Sequence, residues 1–236
     1  PRILMHIAAL LAVTATVALA ASTATAASCP EPRLRVATGC VSRATAAANV
    51  DAITRDTMRS LGMRATILRV DTGRRTLVTK AFGTSMAGVP ATTDMHFRIG
   101  SVAIPHLITL LLQLRDQKRL TLDDKLSRFL PEMPDADRIT LRMLADNTSG
   151  YQDWIQHNQV FVDLLLADPF RQWTPHQLLA YAFARGPACD PGTCFTYAHT
   201  NYAVLSKVIA KVNGQPVTRL MRTRILEPLG LRHTAI

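Results

Sequence analysis

The sequence predicts an α+β fold, in which a small antiparallel β-structure is followed by a largely helical region. Two β-rich runs, residues 65–70 and 76–82, flank a short turn that contains Gly73. Glycine supplies the positive φ that hairpin turns often need. Apolar residues between Val50 and Leu61 recur near the period of an amphipathic helix, and the pattern beyond Pro105 is mostly helical.

The helical segments are indicated by start and stop signals in addition to the apolar period. Thr174 followed by Pro175 is a capping residue and a first-turn proline, and Gly186 follows the end of that segment. The other predicted helical or turn segments are residues 107–119, 122–130, 140–145, 160–166, 201–212 and 216–225.

Residues 1–26 are predicted to be a secretory signal peptide. Arg2 precedes an apolar run, and Ala24 to Ala26 supply the small residues of a cleavage site. A membrane anchor is an alternative, because the run approaches the roughly 18 to 20 residues of a spanning helix. Lipid attachment at Cys29 is another. We therefore predict a secreted or cell-envelope protein, with membrane contact only if Cys29 is lipidated or the signal stays uncleaved.

We expect a flexible segment at residues 27–43 and one domain at residues 44–236. The four cysteines fall into two close pairs, Cys29 with Cys40 and Cys189 with Cys194. In an exported chain two local disulfides are the simplest interpretation. Zinc is the alternative, but neither pair has the two-residue spacing of a zinc knuckle, so we predict no metal.

The formal net charge of +10 over 236 residues comes mostly from arginine. Such an excess of positive charge can favour binding to anionic surfaces or to nucleic acid. The arginines are scattered rather than clustered, which is typical of a solvated basic surface. We therefore predict no nucleic-acid partner.

Five segments in order carry a family resemblance. They are FRIGSV (97–102), LTLDDKLSRFLPEMP (120–134), ITLRMLADNTSG (139–150), PGTCFTYAHTNYAVL (191–205) and ILEPLGLRHT (225–234). Together they resemble the penicillin-recognising serine enzymes, which include class C β-lactamases, D-alanyl-D-alanine carboxypeptidases and related esterases. The resemblance implies an antiparallel sheet flanked by a helical subdomain, a nucleophilic serine at the start of a buried helix, and no cofactor.

The resemblance implies that Ser101 is the nucleophile and that Tyr197 relays a proton to the leaving group. Two positions depart from the family's motifs. The S-x-x-K lysine, which takes the serine proton, is Ile104, and the asparagine of the Y-x-N motif is His199. The third motif and its strands, expected after residue 234, do not occur before Ile236, so we expect an incomplete domain that lacks one oxyanion donor.

Isoleucine cannot accept a proton, and loss of general base catalysis costs about 10² to 10⁴ in rate. Pro105 disfavours helical geometry at the residue before it, so we expect the helix to begin late. His199 is a candidate replacement base, since histidines ordinarily titrate near pH 6.5. His106 is worse placed, because five residues along a helix turn it about 140° away from Ser101.

The remaining polar and aromatic candidates have structural as well as functional interpretations. Asp146, Asn147 and Ser149 match a helix-end and turn segment, which favours structural hydrogen bonding. Tyr151 and Trp154 are predicted to line the substrate pocket, with core or rim packing as the alternative for each.

These observations predict an exported protein of this family that is catalytically impaired, because the S-x-x-K lysine is Ile104 and the third motif is absent. The predicted ligand or substrate is a peptidoglycan-like peptide, a β-lactam or an ester. The first alternative is an active serine esterase or carboxypeptidase that uses Ser101 with Tyr197 or His199 as base. The second is a noncatalytic binding or sensor protein of the cell envelope.

Overall fold

The computed structural model describes residues 29–30, 32–37, 39–85 and 88–236. The predicted signal peptide at residues 1–26 lies outside them. The chain divides into two compact units, one up to Phe97 and one from Arg98 onward. Among the described residues, no helix combines the length and the apolar character needed to cross a bilayer.

The first unit opens with a short hairpin where we expected only a flexible segment. Strand β1 (Leu34–Val36) pairs antiparallel with β2 (Gly39–Val41). A disulfide between Cys29 and Cys40 ties the preceding chain to β2, which confirms the first predicted pairing. The covalent link gives this part of residues 27–43 the order that its composition did not predict.

A long helix and a second hairpin make up the rest of this unit. Helix α1 (Arg43–Ser60) begins after Ser42, whose side chain accepts the Thr45 N–H as an N-cap. Strands β3 (Ala65–Thr72) and β4 (Arg75–Gly83) form the predicted hairpin around Gly73. Phe82 of β4 is buried, and the Arg55 guanidinium of α1 lies 5.1 Å from its ring centre.

The second unit is helical, as the apolar period predicts. Its helices are α2 (Ile104–Asp116), α3 (Leu141–Ala145), α4 (Gln159–Ala167), α5 (Pro175–Phe183), α6 (His199–Asn213) and α7 (Val217–Met221). A 3₁₀ turn spans Leu126–Arg128, and α7 continues as a π-helical turn over Arg222–Leu226. The segment predicted as one helix at 216–225 therefore changes its hydrogen-bond period, with the Glu227 N–H bonding to the Arg222 carbonyl.

Helices α2 and α6 supply the centre of the core of this unit. Leu111 and Leu114 of α2, and Leu205 and Ile209 of α6, have no exposed surface. They belong to one contiguous apolar cluster with side chains from α3, α5 and α7. This core fixes the N-terminal ends of α2 and α6, which matters because the candidate site lies at those ends.

The helix signals read from the sequence are confirmed at α5 and α6. Thr174 and Gln177 form a reciprocal capping box at the start of α5, with Pro175 in its first turn. Gly214 ends α6 in the left-handed conformation, with φ of 66°.

The segment before α2 confirms the predicted late helix start. Residues Gly100–Ala103 form a 3₁₀ turn, and the α-helix begins only at Ile104. Pro105 lies in the first turn of α2, where its missing N–H leaves no bond unmade. Ser101 therefore lies in a tight turn ahead of α2 rather than inside it.

A second disulfide, Cys189 with Cys194, confirms the other predicted pairing and closes the loop that leads to α6. Hydrogen bonds tie this loop to the chain after α3: the Ala188 N–H bonds to the Gly150 carbonyl, and the Gly192 N–H bonds to the Thr148 carbonyl. The contact is close, because a Cβ on Gly150 would lie 2.2 Å from the Cys189 carbonyl oxygen.

Replacing Gly150 by Ala should therefore destabilise the protein more than an ordinary positive-φ glycine replacement. Gly150 has φ of +82° and meets backbone, whereas Gly186 has φ of +70° and open space around it. We expect Gly186→Ala to cost about 1 to 2 kcal/mol of unfolding free energy for the left-handed conformation. Gly150→Ala should cost about 2 kcal/mol more because of the clash. Urea unfolding measures both, and equal costs would contradict the close approach.

Candidate active site

Ser101 is exposed in the 3₁₀ turn that precedes α2. Its Oγ lies 3.3 Å from Nε2 of His199. This distance is at the long end of a hydrogen bond, as is common for catalytic pairs without substrate. The structure thus brings together two of the predicted site residues, which are 98 positions apart in sequence.

His199 is the first residue of α6, and about a quarter of its side chain is exposed. Its Nδ1 lies 2.8 Å from Oδ2 of Asp153. The imidazole therefore has a hydroxyl on one ring nitrogen and a carboxylate on the other.

Asp153 lies in the loop between α3 and α4, and only 2% of the residue is exposed. Its Oδ1 accepts the backbone N–H groups of Ile155 at 2.7 Å and Gln156 at 2.8 Å. Its Oδ2 accepts the backbone N–H of His199 in addition to the ring. The carboxylate thus joins its own loop to the first residue of α6.

These contacts decide the ionisation state of Asp153. Burial is the largest single influence and raises its pKa, because it disfavours the charged form. The hydrogen bonds from the His199 ring and from the backbone N–H groups of Gln156, His199 and Ile155 act the other way, and together they hold the pKa below its ordinary value of 3.8. At neutral pH Asp153 is therefore a carboxylate, which can only accept hydrogen bonds.

The rings of Tyr197 and Trp154 both contact the imidazole of His199. The Tyr197 ring stands edge-on to it with centroids 5.2 Å apart, and the Trp154 ring is tilted with centroids 5.7 Å apart. Both side chains are partly buried. Of the two bases considered from the sequence, only the imidazole makes a hydrogen bond to Ser101 in the part of the chain that the structure describes.

The structure places Tyr151 in the core rather than in a substrate pocket. Only 4% of it is exposed, its ring packs edge-on against Phe183, and its hydroxyl donates to the Pro134 carbonyl. Burial, with a smaller contribution from Asp135, raises its pKa. These contacts favour the packing alternative for Tyr151, and substrate contact by this residue stays a prediction.

A buried network of side-chain amides and hydroxyls supports the start of α6. Asn147 accepts the Ala198 N–H and the Asn201 amide, and donates to the Tyr202 hydroxyl at 2.6 Å. Ser149 donates to Asn201 at 2.5 Å. The structural roles predicted for Asn147 and Ser149 agree with these contacts. Asp146 also acts locally, since its carboxylate accepts from Thr148.

Ile104 and His106 make other contacts than a hydrogen bond to Ser101. Ile104 is half-buried and packs against the apolar core. His106 contacts the Val102 carbonyl through Nδ1 at 3.2 Å. The side chain within hydrogen-bond reach of the Ser101 hydroxyl thus lies at the start of α6 rather than on α2.

Asp153 is the one member of this arrangement that the sequence analysis did not select. The histidine in the Y-x-N position was the available signal, because a histidine base commonly needs a carboxylate to orient it. Asp146 and Asp153 lie in the same stretch of the chain, and only the fold shows that Asp153 is the one that faces His199. Among the described residues, no group of three or more His, Cys, Asp and Glu side chains is arranged to hold a metal ion.

Comparisons with known proteins agree with the fold. A family model described as "Beta-lactamase" matches residues 46–236. The chain is 31% identical over 137 residues to the putative penicillin-binding protein PbpX of Bacillus subtilis, covering 58% of this chain and 32% of PbpX. It is 31% identical over 152 residues to penicillin-binding protein 4 of Amycolatopsis lactamdurans, covering 62% of this chain and 38% of that protein.

A solved structure, the D-stereospecific amidohydrolase from Streptomyces sp., is 31% identical with a TM-score of 0.64. The match covers 72% of this chain and 51% of that chain. The chain therefore spans roughly a third of the length of the two curated relatives and half of this structural neighbour.

The low pKa of Asp153 predicts how stability depends on pH. A carboxyl group whose pKa is lower in the folded state stabilises the protein above its unfolded pKa, and that contribution is lost as pH falls through the folded pKa. The unfolding free energy of the native protein minus that of Asp153→Asn should therefore shrink as the pH falls below about 4. Urea unfolding between pH 6 and 2.5 measures this.

Asp163→Asn is the matched control, since Asp163 is an exposed carboxylate on α4 that accepts only from Gln159 in the described contacts. Its difference from the native protein should stay small throughout. A native-minus-Asp153→Asn difference that grows as the pH falls would contradict the lowered pKa.

Proposed function

Because the chain belongs to the β-lactamase family, we propose that it is a serine hydrolase that forms an acyl-enzyme on Ser101 with His199 as its general base. The observation that carries this proposal is the 3.3 Å contact between the serine Oγ and the imidazole Nε2. It supports the active-enzyme alternative over the impaired enzyme that Ile104 predicted.

The reaction needs a proton acceptor, and Ile104 cannot be one. Nδ1 of His199 faces a carboxylate, which accepts only, so this nitrogen carries the ring proton. Nε2 then has a free lone pair and accepts the Ser101 hydroxyl proton. This is the tautomer that a general base for serine needs.

The proposed reaction has two steps. The Ser101 Oγ bonds to the substrate carbonyl carbon, the bond from that carbon to the leaving group breaks, and the serine proton passes through Nε2 of His199 to the leaving group. Water then attacks the acyl carbon, giving one proton to Nε2, and the bond from the carbon to Oγ breaks as Oγ takes that proton. The products are a carboxylic acid and an alcohol or amine, with Ser101 and His199 restored.

Tyr197 has a supporting place in this proposal. Its ring contacts the imidazole edge-on and, together with that of Trp154, shields part of the imidazole from water. A partly desolvated imidazole exchanges its proton with Ser101 rather than with bulk water. We therefore keep Tyr197 as a group beside the base and Trp154 as a candidate substrate contact.

The proposed substrate is a small carboxylic ester, amide or β-lactam. The names of the relatives point to penicillin binding and to hydrolysis of D-configured amides. Ser101 is exposed, so a carbonyl group of a peptide or small molecule can reach Oγ. The remaining alternative is binding without turnover, for which Ile104 is one argument.

We also propose that the protein works outside the cytoplasm. Both cysteine pairs form disulfides, and no described cysteine is free. Disulfides persist in oxidising compartments and are rare in the cytoplasm. They support the export that the N-terminal sequence predicts.

Acylation of Ser101 tests the proposed function. Intact-mass spectrometry should detect an adduct after incubation with a fluorophosphonate or an activated ester, and Ser101→Ala should abolish it. His199→Ala should slow acylation about 10² to 10⁴-fold, because the general base is removed. Tyr197→Phe should slow it far less. The native rate should fall as the pH is lowered, since a protonated imidazole cannot accept the serine proton.

Ile104→Lys is the complementary variant. The lysine would restore the family's nucleophile motif but replace a side chain that packs on the core. A protein inert in its native form and active as Ile104→Lys would be the impaired enzyme, and the proposed role of His199 would be wrong. Native acylation that is unaffected by His199→Ala would also exclude this role.

A further inference from the structure

We propose that Asp153 is the positioning residue of this site, and that its carboxylate fixes both the tautomer and the direction of the His199 imidazole. In this chain a serine–histidine–aspartate arrangement then stands where the resemblance implies a serine–lysine pair. The catalytic consequence rests on the proposed function, whereas the effect on the imidazole does not. The chain of contacts runs from Ser101 Oγ to His199 Nε2 and from Nδ1 to Asp153 Oδ2.

The direction of the imidazole follows from the way Asp153 is itself held. Oδ1 takes two backbone N–H groups of its own loop, so the carboxylate plane has little freedom to rotate. Oδ2 is then left for His199 alone and takes both the backbone N–H and the ring N–H of that residue. A carboxylate fixed on one side and shared on the other aims the imidazole toward Ser101.

A simpler role for Asp153 is to stabilise the N-terminus of α6. Carboxylates often accept a backbone N–H at a helix start, where the helix dipole favours negative charge. That role explains the bond to the His199 N–H but not the bond to the ring. A pure capping role predicts that the imidazole tautomer is independent of Asp153, and this separates the two interpretations.

The described contacts of the His199 ring come from three segments. Asp153 faces it from the loop after α3, Ser101 from the turn before α2, and Tyr197 from the segment before α6. Arg185 donates to the backbone carbonyls of Asp153 and Gln156 rather than to the carboxylate. Asp153 is therefore the charged group in direct contact with the imidazole.

Solvent exposure increases from Asp153 through His199 to Ser101, as the proposed reaction needs. Asp153 is 2% exposed, the His199 side chain is 28% exposed, and Ser101 is open to solvent. A buried carboxylate interacts strongly with the imidazolium that forms when the serine proton is taken, because little water screens the pair. The nucleophile alone stays accessible to substrate.

Nitrogen NMR of the histidine side chains measures the tautomer directly. The protein is labelled with ¹⁵N-histidine, and the His199 signals are identified by their loss in His199→Gln. With a neutral imidazole the native protein should show a proton on Nδ1 and none on Nε2. In Asp153→Asn the new amide N–H₂ group donates to the ring, so the population should shift to the Nε2–H tautomer. This shift is the result expected from positioning.

Asp146→Asn is the matched control, because Asp146 lies at the end of α3 and bonds to Thr148 rather than to His199. Its His199 spectrum should equal that of the native protein. A native His199 with its proton on Nε2 would overturn the proposal without any variant, and so would an unchanged tautomer in folded Asp153→Asn.

Kinetics connect the tautomer to the reaction. Asp153→Asn should lower kcat for an activated ester about 10² to 10⁴-fold with a small change in KM, because the wrong tautomer cannot accept the serine proton. Asp153→Glu, which keeps the charge, should recover part of the rate. A tautomer that depends on Asp153 in a native protein that never acylates would support the positioning role and overturn the proposed function. Native kcat in Asp153→Asn would overturn the catalytic role of Asp153.

Discussion

The candidate site depends on the hydrogen bonds that the side-chain amide of Asn147 makes to the start of α6. The amide is buried just after α3 and bonds to three groups at the start of α6: the N–H of Ala198 (the residue before the helix), the Asn201 amide and the Tyr202 hydroxyl. Asn147 itself has φ of 64°, a left-handed conformation that asparagine tolerates better than most residues. Buried polar groups left unpaired are costly, so this network admits few alternative arrangements. The first turn of α6, and with it the backbone of His199, is fixed as a result.

Around the first turn of α6, polar contacts rather than apolar packing hold the side chains of the site. Asp153 reaches the same turn from the loop after α3, and its charge is stabilised by backbone N–H groups and by the imidazole. The loop closed by Cys189 and Cys194 holds the other side of the approach to α6 through backbone bonds to Thr148 and Gly150. The segment from Asn147 to Gln156 thus contributes both the structural amide and the carboxylate of the site.

Helix α2 plays the opposite part. Its apolar face, including Ile104, packs on the core, and the late helix start at Ile104 leaves Ser101 in a 3₁₀ turn that is open to solvent. The turn before α2 thereby presents the Ser101 hydroxyl and the start of α6 presents the His199 imidazole, and the packed leucines of α2 and α6 hold the two ends together. A histidine at the start of α6 reaches Ser101 without any proton acceptor on α2.

The sequence by itself determined the helices, the β3–β4 hairpin, both disulfide pairings, the family, and Ser101 and His199 as candidates. Local sequence patterns predict these features: apolar periods, capping residues, close cysteine pairs and short motifs. Tertiary structure decided that Ser101 and His199 are in contact, that Asp153 rather than Asp146 faces the imidazole, and that Tyr151 is in the core. It also decided that Leu34–Val36 pairs antiparallel with Gly39–Val41. The physical reason is that a hydrogen bond between residues 98 or 46 positions apart depends on where packed helices end, which no local pattern specifies.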